Sequence, residues 1–157
     1  MKRLALIISS LMFYLFVCSQ NISRMTKIGV TLKTPMREAE VSKVDSSMYK
    51  DYLPGLFFLS SNDSVFAISN GIVTAVYYFS MREGFVTIKD SANNYYNYMH
   101  LFITLVGSGG EIVKKGDLIG IAKNDEKEKG FALYLNGNNK DGEPLSEEQI
   151  LQLVNDK

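Results

Sequence analysis

The chain has 157 residues, with 17 basic and 17 acidic side chains, one histidine, one cysteine and no tryptophan. That length gives room for one domain, and the balanced charge gives no sign of the basic stripe that displaces counterions from nucleic acid. Cys18 alone can make no internal disulfide, so stability has to come from an apolar core.

The N-terminus reads as an export leader. Lys2 and Arg3 precede "LALIISSLMFYLFV", an apolar run too short and too near the terminus for a good membrane span. Val17 and Ser19 occupy the small-residue positions that predict cleavage before Gln20. Two alternatives stand beside cleavage: lipidation of Cys18 in "LFVC", and retention of the segment as an anchor. Residues 1–19 are therefore expected to be a signal peptide, with the protein exported to the periplasm or exterior. Membrane contact is expected only through that segment, if it is uncut or lipidated.

Residues 20–52 read as a weakly structured lead-in. "KIGVTLKTP" alternates like a short strand that Pro35 ends, while "MREAEVSKVDSSMYKDY" reads as one or two helical turns. From Leu53 the character changes. "LPGLFFLSS", "SVFAIS", "GIVTAVYYF", "GFVTIKD" and "YYNYMHLFITL" are short runs rich in Val, Ile, Phe, Tyr and Thr, separated by Gly- and Asn-bearing turns. "EIVKKGDLIGIAKN" adds a turn flanked by strands, and "GFALYLNGN" one more strand. Gly116 suits a turn requiring positive φ, and Gly120 a close backbone approach. The chain closes on "PLSEEQILQLVNDK", where Ser146 and Gln149 have capping-box spacing and Leu145 and Ile150 staple spacing. Ile150, Leu151 and Val154 give this helix one apolar face for docking on the sheet. The expected fold is all-β over residues 53–157: an antiparallel sheet or sandwich core of about seven strands with a short C-terminal helix.

The order "VFAISNGIVTAVYYF", "GFVTIKDSANNYYNYMHLF", "VKKGDLIGIA", "FALYLNG" and "KDGEPL" resembles the lysostaphin-type (LytM-like) zinc peptidases, over residues 53 to 145. The matched residues are Ala67, Asn70, Gly71 and Val73, then Tyr98 to Leu101, then Val113, Gly116, Ile119 and Gly120. The resemblance implies a duplicated-hybrid-motif fold and peptidase activity on the cross-bridges of bacterial cell walls. It also implies a zinc held by a His and an Asp from an early loop and a His from a late strand, with further histidines handling protons.

This sequence departs from that pattern. The early ligand motif falls on "LPGLF", which puts Leu53 and Phe57 at the His and Asp positions. The late motif falls on "ALYLN", which puts Ala132 at a catalytic His and Tyr134 at a metal-binding one. Only His100 matches a family histidine. Apolar and phenolic groups are poor substitutes for imidazole and carboxylate around a divalent cation. The expectation is therefore a member without metal ligands, catalytic residues or cofactor, with His100 kept as a packed or hydrogen-bonded relic. Ser60, Ser61 and Asp63 lie near the old site, yet no nucleophile stands at recognisable spacing from a base. Phe57, Tyr96, Tyr98, His100 and Tyr134 are the candidate lining of a groove, and amphipathic rings there favour a peptide or sugar. The expected partner is an envelope protein such as a wall hydrolase, or a peptidoglycan peptide. The alternative is an active metalloendopeptidase of the same family.

Overall fold

The structure is a computed structural model that describes residues 26–32, 35–43, 54–81, 83–126 and 129–155. Its strands are β1 (Thr26–Leu32), β2 (Ala39–Lys43), β3 (Gly55–Ser60), β4 (Ser64–Phe66), β5 (Gly71–Ser80), β6 (Glu83–Lys89), β7 (Tyr95–Thr104), β8 (Ile112–Val113), β9 (Leu118–Asp125) and β10 (Gly130–Asn138). One helix among the described residues, α1 (Glu147–Asn155), follows them. The strands form a single sheet in the order β1-β2-β3-β10-β9-β7-β6-β5-β8, with β4 added on β9. All of its pairings are antiparallel.

The sheet bends because β10 has more neighbours than a flat sheet allows. One side of β10 pairs with β3 from Phe131 to Asn136. The other side pairs with β9 over Gly130–Ala132 and with β7 over Tyr134–Asn138. Strand β7 is shared in the same way, its later residues from Leu101 to Thr104 lying on β9. The result is a mostly antiparallel half-barrel with one short C-terminal helix.

Alternation of side chains fills the core. Leu56 and Phe58 of β3, Val86 and Ile88 of β6, Tyr96 and Tyr98 of β7, and Leu133 and Leu135 of β10 are all fully buried. The residues between them face the opposite surface, as the two-residue period requires. Gly116 has φ of 89° and opens the predicted turn, with its N–H donating to the Ala67 carbonyl. Gly120 makes the expected close approach, since a Cβ there would meet the Ile103 carbonyl oxygen at 2.7 Å.

One local expectation fails. Where helical turns were expected, Ala39–Lys43 is strand β2, paired with β1 on one side and β3 on the other. Ala39 and Val41 are buried with exposed Glu40 between them, a two-residue period that decides for a strand over weak helical propensity. Ordered sheet therefore begins within the stretch read as a lead-in.

The helix follows its sequence signals. The Gln149 amide N–H donates to Ser146 Oγ at 3.2 Å, and the Ser146 amide N–H donates to Gln149 Oε1 at 2.8 Å. This reciprocal pair satisfies two donors that helix geometry leaves open. Leu145, Ile150 and Val154 join the core. Among the described residues, no helix is long and apolar enough to cross a membrane. The leader expected at 1–19 lies outside those residues.

Candidate functional site

Strand β7 carries the sole histidine on an irregularity. By simple alternation His100 belongs with Tyr96 and Tyr98 on the core side. Between Tyr98 and Leu101 the pairing with β6 spans three steps on β7 but two on β6, from Val86 to Gly84. One extra residue is absorbed there, and His100 has φ of 65°, a left-handed conformation rare for a non-glycine residue. Leu101 takes the core position, fully buried, and the imidazole turns out to the opposite face. Backbone of this kind costs of order 1–3 kcal/mol and persists where the surroundings impose it.

On that face the imidazole meets a carboxylate. His100 Nδ1 lies 3.0 Å from Glu83 Oε1, and Lys123 Nζ lies 3.1 Å from Glu83 Oε2. Three strands, β7, β6 and β9, thus bring an imidazole, a carboxylate and an ammonium into one line. The hydrogen bond from His100 is the main reason the Glu83 carboxyl is lowered to about 2, against partial burial that pushes it up, with Lys123 adding to the lowering. His100 is thus hydrogen-bonded, and its partner is a carboxylate. Glu83 and Lys123 were not legible as site residues, since "REG" reads as a turn and nothing in the spacing links positions 83, 100 and 123.

Phe57 and Tyr134 form the other half of the site. They are directly opposite across β3 and β10. Their ring centroids lie 4.9 Å apart, and the Phe57 ring lies 5.8 Å from the imidazole. Tyr134 is buried, and burial pushes its phenol up to about 12. Beyond it runs a polar ladder. Thr87 Oγ1 donates to Asn97 Oδ1 at 2.8 Å, and Asn97 Nδ2 donates to Asn136 Oδ1 at 2.8 Å. A side-chain hydrogen bond then joins Asn136 to Tyr134. An exposed aromatic group continues the face on the β5–β6 hairpin, where the Phe85 ring stacks with Tyr77 at 5.2 Å and with Phe79 at 5.5 Å.

Of the five groove candidates, the structure brings Phe57, His100 and Tyr134 together and separates the other two. Tyr96 and Tyr98 point into the core and line no groove. The Tyr96 hydroxyl donates to Asp90 Oδ2 at 2.8 Å, and the Tyr98 hydroxyl accepts the Ile68 amide N–H at 2.9 Å. Burial pushes both phenols up. Tyr134 contributes a buried floor and no open wall. Ser60 is buried, its hydroxyl donating to the Arg37 carbonyl at 2.6 Å, and Asp63 Oδ1 is hydrogen-bonded to its neighbour Ser64. Ser61 is exposed, and Leu53 lies outside the described residues.

The positions that the resemblance assigns to zinc do not suit it. Phe57 offers no donor atom, and Tyr134 offers only a buried phenol in place of an imidazole. Among the described residues, no three His, Cys, Asp or Glu side chains converge on one point.

A bent antiparallel half-barrel with its site on the face of β3, β10, β7 and β6 defines a class of domain, that of the lysostaphin-type peptidases. The chain belongs to Peptidase family M23, whose model matches residues 54–146. Among solved structures it is similar to LytU, at 19% identity and a TM-score of 0.56 over 85% of this chain and 87% of that one. It is also similar to a mutant catalytic domain of the prophage-encoded M23 protein EnpA from Enterococcus faecalis, at 20% identity and 0.51 over 79% and 89%. A zinc-containing peptidase from Vibrio cholerae aligns at 23% identity and 0.48, over 58% of this chain and 28% of that chain. The chain thus spans under a third of that longer protein. At these identities the likeness establishes the fold. No curated protein matches the chain.

Proposed function

We propose that this chain is a non-hydrolytic M23 domain of the bacterial envelope, which binds a wall peptide or a partner protein such as a wall hydrolase. One observation carries the reading. At positions the family resemblance assigns to metal ligands stand two aromatic side chains, Phe57 and Tyr134, whose rings pack on each other at 4.9 Å. Neither an apolar ring nor a buried phenol replaces the carboxylate and imidazole that would hold a cation for metal-assisted hydrolysis.

One feature favours the alternative of an active peptidase: His100 is oriented by a carboxylate, as a general base is. A general base contributes roughly 10² to 10⁴ in rate. Amide hydrolysis by an enzyme requires far more, and among the described residues no three His, Cys, Asp or Glu side chains gather to hold a metal there. The family relationship supports an envelope location, and the apolar leader supports export. The test is a pull-down from envelope extract run beside binding to purified wall fragments. Retention of a wall fragment or of a specific envelope protein supports the reading. Release of new amino termini from the fragments contradicts it.

A further inference from the structure

We propose that the outer edge of β5 is a self-association site, on which β5 of a second copy of the chain adds as an antiparallel strand across a two-fold axis. Pairing through this edge is independent of whether the domain hydrolyses peptides.

Strand β5 is open on one side. Its inner side pairs with β6 from Ile72 to Ser80, while its outer side pairs with β8 only at Gly71 and Ile72. Val73 is occupied by the segment before β8: its N–H donates to the Glu111 carbonyl, and its own carbonyl accepts the Gly110 N–H. From Thr74 onward, no strand among the described residues lies on that side. A row of open N–H and C=O groups is a template for another strand, and proteins that stay monomeric blunt such an edge with charge, proline or a cover. Residues 71–81, "GIVTAVYYFSM", contain no charged residue and no proline. The edge is not covered either, since Tyr77, Tyr78 and Phe79 are each more than half exposed and Met81 is 98% exposed. Register shifts against β6 at Val73/Ala75 and Tyr78/Ser80 leave residues 75–78 as the regular stretch that takes a ladder.

Self-complementarity selects the occupant. A two-fold axis through an antiparallel pair sets residues of the same face opposite each other, so within 75–78 it falls at Val76 or at Tyr77. The first places Ala75 beside Tyr77 of the second copy, and Thr74 beside Tyr78. The second places Val76 beside Tyr78 of the second copy, and Ala75 beside Phe79. Either way small or β-branched side chains meet aromatic rings, a favourable cross-strand combination, and no like charges face each other. The 17 basic and 17 acidic residues balance, so two copies approach without long-range repulsion. An added strand also covers both faces of the edge, Tyr77 and Phe79 on the side of Phe85 and Tyr78 on the other. A foreign extended peptide would use the same backbone groups, but it has to supply the apolar side chains that a second β5 already carries.

The test uses the full chain. Sedimentation over a range of concentrations should give a mass rising from one copy to two. Tyr77→Lys sets ammonium groups at or beside the axis and should weaken association about tenfold or more, in protein that thermal unfolding shows to be folded. Tyr77→Glu should do the same, and an equimolar mixture of the two variants should recover dimer. Single cysteines in a Cys18→Ser background read the location. Facing Cα atoms of an antiparallel pair lie about 4.5–5.5 Å apart, within disulfide reach. Either Val76→Cys or Tyr77→Cys should therefore cross-link on mild oxidation, while Ile112→Cys on β8 stays free. A single copy at every concentration overturns the proposal. So does a dimer that persists in folded Tyr77→Lys, or one in which neither edge cysteine cross-links. A monomer that takes up an extended peptide along β5 also overturns it, and makes the edge a peptide site instead.

Discussion

The ring of Tyr134 lies over Gly55. A Cβ placed on Gly55 would meet Tyr134 Oη at 2.6 Å and two ring carbons at 2.7 Å. The backbone of β3 is thus bare where the phenol of β10 crosses it, and the aromatic floor depends on the missing side chain. Gly55→Ala should destabilise the domain by about 1–3 kcal/mol, the usual cost of overpacking a filled site. Thermal unfolding checks this, and Tyr134→Leu in the same background should recover most of the loss. No loss in Gly55→Ala would mean that the ring lies elsewhere.

The Glu83 carboxyl, lowered to about 2 from 4.5, sets a pH signature. A depressed carboxyl contributes stability that is complete above its unfolded value and is lost as pH falls through the folded one. The stability difference between wild type and Glu83→Gln is therefore expected to depend on pH on the acid side. It should shrink between about pH 5 and about pH 2. Denaturant titrations across that range give the difference directly, and a flat difference would show that the ion pair is not formed in solution.

The ladder of Thr87, Asn97 and Asn136 predicts a specific intolerance. Asn97 donates to Asn136 Oδ1 and accepts from Thr87. Asn97→Asp replaces the donor by an oxygen facing an oxygen, beside a nearly buried amide. The cost should be about 1–3 kcal/mol at neutral pH, partly recovered in acid as the new carboxyl gains a proton. Unfolding of the two proteins at pH 7 and pH 4 tests both halves.

The helix cap gives a further measure. Ser146→Ala removes the acceptor of the Gln149 amide and should cost about 1 kcal/mol, because an uncapped first turn leaves donors open. An unchanged unfolding midpoint would mean that the helix contributes nothing to the docked fold.

Much of this was legible in the residues. The half-barrel strands after Leu53 announce themselves through β-branched and aromatic runs broken by Gly and Asn, and the capping box and the Gly116 turn work as their chemistry dictates. Strand β2 was hidden because two buried positions, Ala39 and Val41, are too few to establish a period against Glu- and Lys-rich neighbours. The substitutions at Phe57 and Tyr134 were visible as departures from a motif, whereas their contact with each other needed the register of β3 on β10. Tyr96 and Tyr98 were misplaced for a related reason. Alternation sets them on one face with residue 100, and only the bulge, which no residue type announces, separates the imidazole from them. The partners of His100, Glu83 on β6 and Phe57 on β3, are set by strand register and the bulge, which spacing along the chain does not reveal.

The account stands or falls on whether this domain hydrolyses peptide bonds. The most direct measurement gives purified protein one equivalent of zinc, determines bound metal after dialysis, and follows new amino termini from cross-linked wall material. Wild type and His100→Ala are compared side by side. The account predicts no retained zinc and no cleavage by either protein. Stoichiometric zinc in wild type, with cleavage that His100→Ala abolishes, would contradict it.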